Sequence, residues 1–312
     1  MKAENRGNEG FLQRDSVEHQ GYAEARSTGR SELNHELLMN LLHRKIQDMR
    51  VLRIIKKYLK SGVMENGVVC KTKEGSPQGG PLSPLLANIY LNEFDWEMCG
   101  RGVKTVRYAD DIVVFAKSKR AAERLMESSR KYLEGKLKLK MNTEKSKVTS
   151  VFAVEEFKFL GFCIGKNGSG IYIRAHRKSL NKAKEKLKLL TKRNRGRNVR
   201  RVMAEVKVFI RGWLGYFHVA DMKRTMKSWD EWLRRKFRMY IWKQWKKPRT
   251  KVANLKKLGI PADKAYQWGN SRLGYWRIAG SPVLACSITN ERLAAAGYFS
   301  ILNCYESLHS CD

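Results

Sequence analysis

The chain has little acidic charge. Its 312 residues contain 30 Asp and Glu against 63 Lys and Arg, which gives a formal net charge of +33. This imbalance argues against a solitary enzyme for small molecules and points to a polyanionic partner, either nucleic acid or an anionic membrane surface. Hydrophobic residues make up 42% of the chain, so the composition also excludes a fully disordered basic tail.

Long hydrophobic runs and paired cysteines are missing as well. The longest apolar stretches, such as 112–116, are too short to span a bilayer, and the first residues lack the apolar core of an export signal. The six cysteines form no C-x-x-C pair and have no spaced histidine pair near them, so a zinc site is not supported. We therefore expect reduced thiols in a cytoplasmic protein, with no membrane partner.

The positive charge is concentrated in one part of the chain. Residues 166–260 carry 30 basic and 5 acidic side chains, whereas residues 261–312 carry 4 of each. Aromatic residues lie between the basic runs, and this mixture is typical of surfaces that bind phosphate backbones and unpaired bases. The composition thus favours nucleic acid over a membrane.

Hydrophobic periodicity predicts an α+β region followed by helices. Residues 1–32 are polar and without sustained periodicity, so they are predicted to be a flexible leader. Residues 33–175 are predicted to alternate helices and strands, and residues 176–247 to form three amphipathic helices. A final compact region is expected over residues 248–312. Within these regions the pattern predicts individual elements: a hairpin over 103–117, a helix over 119–135, strands near 147–152 and 158–162, and a hairpin around 168–170.

Two adjacent carboxylates, Asp110 and Asp111, lie at the tip of the predicted hairpin. Neighbouring like charges are unfavourable unless a cation neutralises them. Arginine or lysine could do this in so basic a chain, and a solvated hairpin tip is the simplest interpretation. The chemically specific interpretation is Mg²⁺, which prefers oxygen ligands and often combines carboxylates with substrate phosphates.

Several motifs, in order, resemble one family. Tyr108-Ala109-Asp110-Asp111 follows Ser76-Pro77-Gln78-Gly79-Gly80, and both segments are similar to those of the reverse transcriptases. Over about residues 33–305 the chain resembles the group II intron-encoded reverse transcriptase/maturases. The implied fold is α+β: a partial reverse-transcriptase palm, then an all-α thumb and a small helical maturase-specific domain, domain X.

The resemblance also implies roles for individual residues. Asp110 and Asp111 would be catalytic and would hold Mg²⁺. The implied primer grip is Phe159, Leu160 and Gly161. The implied nucleotide- and template-binding residues are Ser76, Pro77, Gln78, Gly79, Gly80, Tyr108, Ala109 and Lys145.

The third active-site aspartate of the family is the main departure from its pattern. Asn34-His35-Glu36 matches the end of the family's first palm motif, but counting back to the aspartate leads to Ala25. Glu24 is one residue out of register, which in a strand turns a side chain to the opposite face. Gly21 and Gly29 also disfavour a strand there. We therefore expect an internal deletion that removes the fingers and the first palm strand.

Binding to group II intron RNA is the function that the resemblance implies and the deletion leaves intact, with target DNA as a second possible partner. The basic runs selected as RNA-binding are Arg193, Arg195, Arg197, Arg200, Arg201, Arg234, Arg235, Lys246, Lys247 and Arg249. Most of the interleaved aromatics are expected to be core residues, since they recur at helical spacing.

Three functions follow from these observations. The first is an RNA-binding maturase, bacterial and RNA-associated, that assists intron splicing and has lost its RNA-directed DNA polymerase activity. The second is an active polymerase whose missing parts come from another polypeptide. The third is a decayed mobile-element product without a stable fold. Near the C-terminus the sequence has no Cys or His cluster like that of an endonuclease, so DNA cleavage is not suggested. The oligomeric state is left open.

Overall fold

A computed structural model describes residues 21–26, 33–61, 63–65, 68–70, 81–150, 152–153, 156–168 and 170–309. The chain divides into two compact units, Met1–Phe159 and Leu160–Asp312. No helix in these described ranges is both long and apolar enough to cross a membrane.

The first unit mixes helices and strands. Its helices are α1 (His35–His43), α2 (Met49–Lys60), α3 (Ser83–Gly100) and α4 (Lys119–Gly135). Its strands are β1 (Gly21–Arg26), β2 (Val63–Glu65), β3 (Val68–Cys70), β4 (Thr105–Tyr108), β5 (Asp111–Ala116) and β6 (Lys147–Ser150). Side chains that accept backbone N–H groups begin three of these helices, namely Asn34 for α1, Asp48 for α2 and Ser118 for α4.

The main sheet has the strand order β4-β5-β1-β6, and its neighbouring strands are antiparallel. The short strands β2 and β3 form a separate pair. Buried residues of β5, including Ile112 and Val114, join a core that also contains Tyr90, Leu91 and Phe94 of α3. Burial of α3 against this sheet fixes the position of the β4–β5 hairpin.

Two predictions are wrong for residues 21–26. One is that residues 1–32 form a flexible leader, and the other is that the first palm strand is missing. Gly21–Arg26 forms β1, in the middle of the sheet, where it pairs with β5 on one side and β6 on the other. The physical reason is that two facing strand edges present rows of N–H and C=O groups that need partners. This demand outweighs the low strand propensity of Gly21. Gly29 and the rest of the predicted leader lie outside the described residues.

The second unit is mostly helical and begins with a hairpin. The hairpin consists of β7 (Phe162–Asn167) and β8 (Gly170–Ala175). The helices are α5 (Arg177–Leu190), α6 (Val199–Phe217), α7 (Lys223–Gln244), α8 (Pro248–Lys257), α9 (Ala262–Gly269), α10 (Tyr275–Ala279), α11 (Pro282–Ser287), α12 (Asn290–Ala295) and α13 (Ile301–His309).

One hydrophobic core extends through the whole second unit. It contains Leu187 of α5, Ile210 of α6 and Phe237 of α7, and equally Ile278 of α10 and Tyr305 of α13. The helices on both sides of residue 248 thus share buried surface. The thumb and domain X boundaries drawn from the sequence stay predictions.

The strand predicted near residues 158–162 is wrong. Leu160 and Gly161 have φ values of +51° and +86°, so the chain turns there before β7 begins at Phe162. A left-handed backbone cannot continue a strand. The helix over 119–135 and the hairpin around 168–170 are confirmed.

Candidate functional site

The Asp110–Asp111 pair lies on a two-residue hairpin turn between β4 and β5. Tyr108 pairs with Asp111, which leaves Ala109 and Asp110 as the connection. Ala109 adopts a φ of +51°, a left-handed conformation that is uncommon for a residue with a Cβ. The three residues after Asp111 are buried, so the strand that follows the turn is firmly anchored.

Arg107 fixes this turn to helix α3. Its Nε lies 2.9 Å from each carboxylate oxygen of Asp95, and its Nη2 lies 2.6 Å from Asp95 Oδ2. The remaining nitrogen, Nη1, donates to Asn88 Oδ1 at 2.9 Å and to the carbonyl oxygen of Ala109 at 3.2 Å. Arg107 therefore links the backbone of the turn to two side chains of α3 and positions the neighbouring aspartates.

The aspartates supply the oxygen donors that Mg²⁺ prefers. Both side chains are half-buried at the start of β5, where substrate phosphates could complete the coordination of one ion. A two-metal centre needs a further carboxylate from a facing strand. In the strand beside β5, the register places Arg26 opposite Asp111 and Ala25 opposite Ile112. The side chains described in the structure contain no group of three His, Cys, Asp or Glu suited to a metal ion.

The predicted nucleotide- and template-binding residues are only partly described. Ser76, Pro77, Gln78, Gly79 and Gly80 all lie outside the described residues. Tyr108 is 64% exposed beside the aspartates. Lys145 is also exposed, in the turn before β6, where its N–H donates to Asn142 Oδ1 at 3.1 Å. The structure brings both into the same unit as the aspartates, and their roles stay predictions.

The predicted primer grip follows the boundary between the two units. Phe159 ends the first unit, and Leu160 and Gly161 begin the second. The carbonyl of Leu160 accepts from Tyr216 Oη at 2.9 Å, and the carbonyl of Gly161 accepts from Ser179 Oγ at 3.1 Å. A Cβ on Gly161 would lie 3.2 Å from the Phe217 ring. The left-handed turn is thus packed closely against α5 and α6.

Three of the predicted RNA-binding arginines surround one carboxylate. Glu205 of α6 accepts from Arg195 at 3.1 Å and from Arg197, and Arg201 lies 3.7 Å away. Burial opposes ionisation of Glu205, but Arg197 and Arg195 outweigh it and hold the pKa of the carboxyl below its usual value. Arg195 also donates to the carbonyl of Leu190 at 2.8 Å. These arginines therefore order the α5–α6 loop, with part of their charge neutralised.

Arg234 and Arg235 also have structural contacts. Arg234 lies 2.8 Å from buried Asp230, which in turn accepts from the Tyr298 hydroxyl at 2.6 Å. Arg235 donates to the carbonyl of Trp276 at 2.9 Å, and its guanidinium lies 4.0 Å from the centre of that ring. Arg235 therefore fastens α7 to α10, whereas Arg234 pairs within α7 with the aspartate that contacts Tyr298.

The remaining predicted cations point to a more open surface. All are exposed: Arg193, Arg200, Lys246, Lys247 and Arg249. They lie around the α5–α6 loop and the start of α8. Because exposed cations on a rigid helical unit can meet phosphates at little cost, these residues fit the predicted RNA surface better than the four arginines bound to carboxylates.

Sequence reasoning missed some residues of both sites. Arg107 has no motif of its own, although a charged residue between the apolar positions of a strand is a signal for an ordered pair. Lys184 and Lys188 are not among the predicted RNA-binding residues, although their spacing of four places them on one face of α5. Lys236 lies in the basic run of α7 beside the predicted RNA-binding residues Arg234 and Arg235, but its two ring contacts have no signal in the sequence.

Two family models match the chain. The model "Reverse transcriptase (RNA-dependent DNA polymerase)" matches residues 33–164, and "Group II intron, maturase-specific domain" matches residues 180–259. The first covers most of the α+β unit with the aspartate turn, and the second covers the basic helices α5 to α8. The predicted fold class, a partial palm followed by helices, is confirmed.

Curated relatives agree with these matches. "Protein YkfC" of Escherichia coli (strain K12) is 36% identical over 163 residues, which is 41% of this chain and 42% of that protein. "Group II intron-encoded protein LtrA" of Lactococcus lactis subsp. cremoris is 28% identical over 207 residues, 46% of this chain and 34% of that protein. The chain spans less than half the length of either relative. Since 46% of 312 residues is fewer than 207, the LtrA alignment contains gaps on the side of this chain.

Among solved structures, telomerase from Candida albicans in complex with a fragment of telomeric RNA has a TM-score of 0.42 and 14% identity, covering 93% of this chain and 49% of that one. The family assignment depends on the family models and the curated relatives. Together with the Tyr108–Asp111 turn in the sheet of the first unit and the basic helices of the second, they show that the chain belongs to the group II intron-encoded reverse transcriptase/maturase family.

Proposed function

We propose that the protein is a maturase: it binds group II intron RNA through its second unit and assists splicing. The observation that supports this most strongly is that the maturase-specific match, residues 180–259, coincides with the block of highest positive charge. A folded helical surface with an excess of cations binds a phosphate backbone by releasing counterions. Target DNA presents the same phosphates and is a second partner in this proposal.

The first unit is proposed to have lost independent DNA synthesis. Asp110 and Asp111 would hold one Mg²⁺, which would neutralise phosphate charge. In-line transfer requires two ions, and the strand beside β5 offers Ala25 at the family's aspartate position. The central strand of the sheet is present as β1, so the proposed deficit is a missing metal ligand rather than a missing strand.

The gaps in the LtrA alignment support an internal loss of sequence. Three features argue for a protein that folds: the palm strands pair, each unit has a continuous core, and hydrogen bonds fix the turns. We infer that this is a bacterial, cytoplasmic, RNA-associated protein rather than a decayed product, and a cooperative thermal melt would test that inference.

RNA binding is tested with the purified full chain. A group II intron RNA transcribed from the same genome and a structured RNA of equal length are titrated at several salt concentrations. We expect tight binding that weakens steeply with salt and a preference for the intron. Equal weak binding to both RNAs would contradict the maturase function, and failure to bind either would contradict RNA binding altogether.

A further inference from the structure

Three cations of the second unit contact aromatic rings rather than carboxylates, and a fourth, Lys188, lies close to one of them, Lys236. We call them the ring-held cluster: Lys184, Lys188, Arg193 and Lys236. Lys236 Nζ lies 5.4 Å from the centre of the Trp232 ring and 5.3 Å from that of Trp276. Cation–π contacts of this length orient a cation without neutralising it, because the ring has no net charge.

The other members lie beside Lys236. Lys184 Nζ is 5.9 Å from the same Trp232 ring, and the Arg193 guanidinium is 4.8 Å from the ring centre of Tyr275. Lys188 follows Lys184 by one helical turn on the same face of α5. The cluster thus combines α5, the α5–α6 loop, α7 and α10 within one compact unit.

The charges in this cluster repel each other. Burial lowers the pKa of Lys236, and the charges of Lys188 and Arg193 lower it further. Among the described residues, no carboxylate forms a salt bridge with any of the four cations. An anion placed between them would remove this repulsion, so the arrangement favours an anionic ligand.

The contrast with the neighbouring arginines is informative. Arg195, Arg197 and Arg201 share Glu205, and Arg234 pairs with Asp230. A phosphate that binds those groups must compete with a carboxylate already in place. The ring-held cations have no such competitor, although they lie in the same unit.

We propose that the ring-held cluster is the principal phosphate-binding site of the RNA surface and takes adjacent phosphodiester groups of one RNA strand. This proposal rests on the proposed function, which it deepens by separating phosphate-binding cations from those that only order the fold. Lysine and arginine bind phosphate through charge-assisted hydrogen bonds, and their fixed placement lowers the entropy lost on binding.

The test uses a matched pair of double variants in the full chain. Lys188→Ala with Lys236→Ala removes two cations of the cluster. Lys186→Ala with Lys227→Ala removes two exposed lysines of the same helices, α5 and α7, and causes the same change in net charge. The probe is a fluorescently labelled single-stranded oligouridylate, and its anisotropy is followed over a range of salt concentrations.

We expect the cluster variant to bind roughly tenfold more weakly and its salt slope to fall by about one for each lysine. The control variant should bind within about twofold of the wild type, with an unchanged slope. Equal losses in the two double variants, with the wild type still binding, would overturn the assignment of the cluster and leave the proposed function standing. Absence of oligouridylate binding by the wild type would also overturn the assignment of the cluster, whereas the proposed function is overturned only by failure to bind the intron RNA.

Two single variants keep the test valid if the double variant unfolds. Lys236→Arg keeps the charge over both rings and should bind like the wild type. Lys188→Glu changes an exposed residue, reverses its charge and should weaken binding more than Lys186→Glu does. Equal effects of these two glutamate variants would count against the proposal.

Discussion

Arg107 binds Asp95 through a bidentate contact and, with its third nitrogen, the carbonyl of Ala109 one residue before the aspartate pair. The side chain of Arg107 is only 13% exposed, and that of Asp95 is 34% exposed. A charged pair that is mostly removed from water holds its two side chains together more firmly than an exposed pair does. If the two separate, each charge stays buried without a partner. This contact thus connects helix α3 to the tip of the hairpin.

Replacement of Arg107 by alanine should loosen the hairpin. The loss leaves Asp95 and the Ala109 carbonyl without their donor, at a cost of about 1–3 kcal/mol. Hydrogen exchange of the β4 and β5 amides should therefore become roughly tenfold faster or more. The matched control is Arg101→Ala, which removes an exposed pair with Glu97 and should change exchange little. Equal exchange in the two variants would refute the positioning role of Arg107.

Because the backbone of Ala109 is left-handed, we expect position 109 to tolerate glycine better than valine. Glycine adopts a φ of +51° without strain, whereas a β-branched residue does not. Ala109→Val should lower the free energy of unfolding by about 1–3 kcal/mol, and Ala109→Gly should be close to neutral. Urea unfolding followed by far-UV circular dichroism measures both. A valine variant as stable as the glycine variant would show that the turn has another conformation.

Two glycines of the second unit should respond in opposite ways to alanine. Gly161 has a φ of +86°, and its added Cβ would crowd Phe217 and Ser179, so Gly161→Ala should destabilise by about 1–3 kcal/mol. Gly212 lies inside α6 with open space around it, so Gly212→Ala should stabilise by about 0.5–1 kcal/mol. Thermal melts of the two variants give the sign directly. Destabilisation of similar size in both would contradict the packing described around Gly161.

Sequence reasoning succeeded where local signals decide the structure. Helix α4 was predicted from its regular apolar spacing with the observed bounds, and in the structure Ser118 caps its first turn. The aspartate turn was found because its residues are contiguous. Strand β1 was missed because its partners, β5 and β6, lie about 90 and 125 residues away in sequence, and only their pairing makes it a strand. The ring-held cluster has no local sequence signal for the same reason, because it combines residues as distant in sequence as Lys184 and Lys236.

The buried hydroxyl of Tyr90 predicts a loss of stability at alkaline pH. It donates to the carbonyl of Leu137 at 2.6 Å, and burial raises the pKa of Tyr90 from 10.0 to about 12. Because the folded pKa is the higher one, this stabilisation is present below pH 10 and is lost as the pH rises towards 12. The effect is on the order of 2 kcal/mol.

The measurement is a series of thermal melts between neutral pH and pH 12. Tyr90→Phe should remove part of the alkaline decline, whereas Tyr266→Phe, at a residue that is 69% exposed, should not. An alkaline decline of the same size in the wild type and Tyr90→Phe would mean that Tyr90 does not titrate on unfolding.

A protein that binds intron RNA but does not copy it is the central claim, and primer extension on a bound template tests it most directly. The purified full chain is mixed with Mg²⁺, the four deoxynucleotides and a primed RNA template, and binding is verified by anisotropy in the same tube. The account predicts a stable complex without extended primer. Extended primer that disappears in an Asp110→Asn/Asp111→Asn variant would contradict it, since it would show that the turn catalyses synthesis with the ligands of this one chain.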